Sequence, residues 1–94
     1  MEVFRTTENF ALKTIVDSTV LIPVGEQVLT NNILISLNET AEFMYSQLQT
    51  ERSADELAAA VMDRYEVEKE RVENDVKLFL EKMLSINAVS ARTI

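Results

Sequence analysis

The apolar positions of this chain change period once. Early on they alternate, and from Asn38 onward they recur at helical spacing. Residues 10–16, FALKTIV, and residues 19–24, TVLIPV, are rich in β-formers and flank Asp17-Ser18, a short turn signal. Together they predict a hairpin. Pro23 cannot donate a ladder hydrogen bond, which places it at a strand's end or on an edge. Gly25 allows a turn, and Asn31-Asn32 suit left-handed turn geometry in the polar connection that follows. Residues 33–37 predict a third strand, with Ile33, Ile35 and Leu37 on one face and Leu34 and Ser36 on the other.

Asn38 is a good helix N-cap, and Glu39 and Glu42 follow at the positive end of the dipole. Ala41, Met44, Tyr45 and Leu48 then share one helical face. Ser53-Ala54-Asp55-Glu56 predicts a capping box that opens a second helix, with Leu57, Ala60, Val61 and Tyr65 inward. After the link Glu66-Val67-Glu68, the residues Val72, Val76, Phe79, Leu80, Met83 and Leu84 form the clearest stripe in the chain. Glu73 and Lys77 stand one turn apart there, as a surface pair would. Asn87-Ala88-Val89 ends this third helix.

Three strands followed by three helices predict an α+β fold: a three-stranded antiparallel sheet and a three-helix unit, winged-helix-like in order. With 94 residues, the chain suits one domain over 1–94, with a core at about 10–89. Residues 1–9 read as polar and loosely attached, and the last five residues are expected to fray.

Absences narrow the chemistry. The chain has no Cys and no His, so the usual thiolate nucleophile, general base and nitrogen or sulfur metal ligands are missing. Its single glycine excludes a glycine-rich phosphate loop. These gaps point to a protein that is not an enzyme and carries no cofactor. No apolar run has the length of a membrane helix, and the start MEVFRTTENF lacks the features of a signal peptide, so a cytoplasmic protein is expected. The net charge is −7. A winged-helix DNA binder would need a basic recognition helix, whereas the third helix mixes Glu68, Glu70, Glu73, Asp75 and Glu81 with Lys69, Arg71, Lys77 and Lys82. A degenerate DNA binder is therefore the weaker alternative.

The third strand carries no Lys or Pro of the kind that guards exposed sheet edges. Such a strand is either covered by its own chain or left open to pair with a partner. The stretches FALKTIVDSTVLIPVG, ILISLNETAEFMYSQL, SADELAAAVMDRYEV and NDVKLFLEKMLSINAV, in that order, resemble the PqqD family. Leu37-Asn38, Tyr65-x-Val67 and Asp75-Val76 followed by Phe79-Leu80 carry most of the likeness. The chain departs at Asn87-Ala88-Val89, where the family often has a glycine.

The resemblance implies a β3α3 peptide-recognition domain without chemistry of its own. Its ligand would be the leader of a ribosomally made precursor peptide. It would present that leader to a modifying enzyme, often a radical S-adenosylmethionine enzyme. The pathway would make pyrroloquinoline quinone or another peptide product. The leader would add as a strand beside Ile33, Leu34, Ile35, Ser36 and Leu37 and lie against the third helix. On that helix, Arg71, Val72, Asp75, Val76, Phe79, Lys82 and Met83 are the candidate contacts, with Glu68 at the margin. The simpler role of the apolar ones is core packing, and of the charged ones a solvated face. Met83 suits both roles because its thioether adapts to varied neighbours. The rival use of an open third strand is self-pairing into a homodimer.

Overall fold

A computed structural model of the chain describes residues 1–25 and 34–94. Its strands are β1 (Glu2–Thr6), β2 (Phe10–Ile15), β3 (Ser18–Pro23), β4 (Ile35–Leu37), β5 (Arg52–Ser53) and β6 (Val89–Thr93). Its helices are α1 (Glu39–Gln47), α2 (Ala54–Arg64) and α3 (Lys69–Ser85).

The predicted sheet forms with β3 in the middle, antiparallel to β2 on one side and β4 on the other. Phe10 faces Pro23 and Ile15 faces Ser18, so Pro23 closes the strand as its missing N–H requires. This register moves the turn one residue earlier than the sequence suggested. Val16 and Asp17 make the bend, and Ser18 already belongs to β3. Val16 has φ of 56°, the sign that tight two-residue hairpins favour at their first position. A β-branched residue adopts it at a cost of about 1–3 kcal/mol. The third strand begins at Ile35 rather than Ile33, and Ile33 lies outside the described residues.

Both chain ends depart from expectation. Residues 2–6 are not loosely attached, and the last residues do not fray. β1 is the central strand of a second antiparallel sheet, β5-β1-β6, paired from Glu2–Thr93 to Thr6–Val89. Val3 and Phe4 are buried there, as are Ala88 and Val89 at the other end of the chain. The cause is long-range pairing: neither strand is amphipathic enough alone, but each supplies the other's backbone hydrogen bonds. The Arg92 guanidinium also gives two hydrogen bonds to the Glu51 carboxylate, reaching across β1.

The helix signals hold. Asn38 Oδ1 accepts the Ala41 amide at 2.8 Å, capping α1. Ser53 and Glu56 form the reciprocal capping box at 3.1 and 2.8 Å. α3 ends in a left-handed residue, Asn87, at φ of 62°. The Ala88 amide donates to the Met83 carbonyl at 2.9 Å and the Asn87 amide to that of Leu84 at 3.1 Å. This is a Schellman cap built on asparagine, the side chain that best tolerates the geometry after glycine. The Asn87 carbonyl accepts from the Thr7 hydroxyl at 2.6 Å and from Asn9 Nδ2 at 2.9 Å. The end of α3 is thereby tied to the β1–β2 connection.

The core lies between the helices and the inner sheet faces. It joins Leu21, Ile35 and Leu37 to Leu48, Leu57, Val72, Phe79, Leu80 and Met83. Phe43 meets Tyr65 edge-on at 5.8 Å, and the Arg64 guanidinium stands 5.2 Å over the Phe43 ring, fastening the end of α2 to α1. Among the described residues, no helix is long and apolar enough to cross a membrane.

Candidate functional site: the open edge of β4 and the groove beside α3

β4 hydrogen-bonds to β3 on one side only, and its other edge has no partner among the described residues. Ile35 and Leu37 turn into the core, as period 2 dictates, while Ser36 is exposed. Leu34, just before the strand, is 62% exposed. The outer edge of β2 is also without a partner among the described residues, but β2 carries Lys13, the kind of residue that deters edge pairing. β4, Ile-Ser-Leu, carries no such guard.

A groove of about 430 Å³ runs between the end of β4 and α3. Ser36, Leu37, Asn38, Thr40, Ala41 and Met44 form one wall. Arg71, Asp75, Leu78, Phe79, Lys82 and Met83 form the other, at the i, i+4, i+7, i+8, i+11, i+12 spacing of one helix face. Phe79 and Met83 are buried and make the floor, while Leu78 is 55% exposed on the rim. Arg71 and Asp75 stand 3.9 Å apart and partly neutralise each other. Lys82 makes no ion pair among the described residues. The expected Glu73–Lys77 pair does not form; the pair on α3 is Arg71–Asp75.

Beyond Arg71 and Asp75 the groove meets a smaller cavity of about 260 Å³, which shares Thr40, Arg71 and Asp75 with it. Val61, Tyr65, Glu66, Val67 and Val72 complete that cavity. Tyr65 Oη is buried without a hydrogen-bond partner among the described residues.

The structure thus brings Ser36, Leu37, Arg71, Asp75, Phe79, Lys82 and Met83 together. It sets three other candidates of α3 and its N-cap apart. Val72 is a core residue that reaches only the smaller cavity, and Val76 lies under a different groove on the far side of α3. Glu68 is the N-cap residue of α3, without a side-chain capping bond, and lines neither cavity. Leu78 was missed because it sits off the core stripe. An apolar residue among charges, three residues from Asp75 and four from Lys82, was the available signal. Ala41 and Met44 read from the sequence as the apolar face of α1.

Chemically, the arrangement offers a strand edge without a partner among the described residues, an apolar floor and a mixed-charge rim. That set can hold an extended peptide. Among the described residues no group of His, Cys, Asp or Glu is placed to hold a metal ion.

Residues 19–89 match the family model described as Coenzyme PQQ synthesis protein D (PqqD). No curated protein sequence matches the chain. Two solved structures share the fold. One is TbiB1 in complex with the TbiA(beta) leader peptide, with a TM-score of 0.72 and 20% identity over 92% of this chain and 94% of that one. The other is lasso peptide synthetase B1 complexed with the leader peptide, also at 0.72 and 20%, over 93% and 96%. At this identity the likeness is one of fold.

Proposed function

We propose that this chain, which belongs to the PqqD family, is a non-catalytic peptide-binding protein that captures the leader of a precursor peptide and hands it to a modifying enzyme. The observation that carries this reading is the edge of β4, unguarded and without a partner among the described residues, beside a groove whose other wall is α3. That the two solved structures named above, which share the fold, are leader-peptide complexes supports it.

The dimensions agree. From Arg71 to Lys82 the helix rises about 16 Å, the length of roughly five extended residues. The leader pairs with the outward backbone groups of β4 and places alternate side chains over Phe79, Leu78 and Met83. Main-chain bonds with two or three apolar anchors give a binding free energy of about −8 to −12 kcal/mol, micromolar to nanomolar, after the cost of ordering the peptide. The contacts we assign are Leu34, Ser36, Leu37, Arg71, Asp75, Leu78, Phe79, Lys82 and Met83, with Ile35 serving through its backbone. The partner enzyme is of the radical S-adenosylmethionine class, and residues 1–94 act as one unit. Self-pairing through β4 would compete with the leader for the same edge.

The test is an NMR titration with the leader of the precursor peptide encoded beside this gene. Amide shifts should concentrate at residues 34–37 and on the 71–83 face of α3. Shifts confined to β2 or β6, or none at all, would overturn the reading. Light scattering with and without the peptide separates leader binding from dimer formation.

A further inference from the structure

α3 has a second groove on its other side, of about 390 Å³, bounded by the start of α2 and by β1. Its floor is apolar: Phe4, Val76 and Leu80 are all buried side chains. Its rim is acidic, with Glu2, Asp55, Glu73 and Glu81 against the single ammonium of Lys77. At about 100° per residue, the rim residues Glu73, Lys77 and Glu81 centre roughly 140° around the helix from Arg71, Asp75 and Lys82. No residue lines both this groove and the one beside β4.

We propose that this second groove is the docking surface for the modifying enzyme, which fills it with an apolar segment flanked by Lys or Arg. The inference rests on the delivery function above. A protein that presents a peptide must touch the enzyme without vacating the peptide groove, so it needs a second, non-overlapping surface. The charges select the occupant: four carboxylates around an apolar floor repel an acidic segment and favour a basic one, which they also steer during encounter. The peptide rim, by contrast, is mixed in sign. α3 therefore acts as a partition, with the leader on one face and the enzyme on the other.

The probe is an amphipathic Leu/Lys helical peptide of about 18 residues, with a scrambled peptide of equal composition as control. No leader peptide is present, so failure here leaves the reading of the β4 groove standing, and failure there leaves this binding measurable. The amphipathic peptide should shift amides at residues 54–58 and at 73, 77, 80, 81 and 84. The double variant Glu73→Lys/Glu81→Lys should weaken it at least about ten-fold. The variant Glu8→Lys/Asp17→Lys makes the same charge change outside the groove and should weaken it less than about two-fold. Equal weakening by both variants, equal binding of the scrambled peptide, or dimer formation through this face would overturn the proposal.

Discussion

Arg71 and Asp75 stand one turn apart on α3 at 3.9 Å, where the groove beside β4 meets its smaller neighbour. Because they partly cancel, Lys82 is the groove's uncompensated charge. Lys82 has no ion-pair partner among the described residues, and under the proposed function an acidic side chain of the leader would supply one. Lys82→Glu should therefore weaken leader binding about ten-fold at low salt, with the difference shrinking as salt screens it. Isothermal titration at two ionic strengths measures this, while the thermal midpoint should stay within about 2 °C.

Leu78 exposes an apolar side chain beside the buried Phe79. A peptide lying in the groove removes it from water. Leu78→Ala should cost about 1–2 kcal/mol of binding and leave folding stability nearly unchanged. If the leader affinity is insensitive to Leu78, the peptide does not run along this face.

The Asn38 cap fixes the corner between β4 and α1. Asn38→Ala should lower stability by about 1 kcal/mol, a fall of roughly 4–8 °C in Tm for a domain of this size. Peptide affinity should fall too, because the cap sets where β4 ends against the groove.

Phe4 tests the terminal sheet. It is buried in the core and lies on a strand that pairs with both β5 and β6. Phe4→Ala should destabilise by about 3–5 kcal/mol. A change close to zero in chemical denaturation would mean that residues 2–6 are not held as described.

Acid should weaken the fold through two carboxyls. The hydrogen bond from the Ser53 backbone amide, with the Ser53 hydroxyl beside it, holds Glu56 below its usual carboxylate range, and the Arg92 guanidinium does the same for Glu51. A carboxyl depressed in the folded state stabilises above its unfolded pKa, and that stability is lost as pH falls through the folded value. Stability should thus decline as pH drops below about 4–5. The Glu51→Gln/Glu56→Gln variant should show a shallower decline in denaturation midpoint against pH.

Local signals were legible wherever one segment supplied its own reason. Ser53 and Glu56 satisfy each other's amides within one turn, and the α3 stripe follows from its spacing alone. The Asn87 cap was readable only as a helix end, because its left-handed φ depends on the bonds that Ala88 and Asn87 return to α3. Val16 was misplaced because its positive φ is imposed by the six-pair register around it, not by its own preference.

Sequence alone determined the α+β class, the three helices with the N-caps of the first two, and an unguarded third strand, because periodicity, capping chemistry and edge residues act over a few neighbours. Tertiary structure decided the rest. β1 and β6 exist because segments some 85 residues apart complete each other's hydrogen bonds, which no local pattern announces. That the outer edge of β4 has no partner among the described residues is likewise decided by where the other strands lie, not by β4 itself. The split of α3 into a mixed-charge face and an acidic one appeared only when β4 and β1 were placed on its two sides.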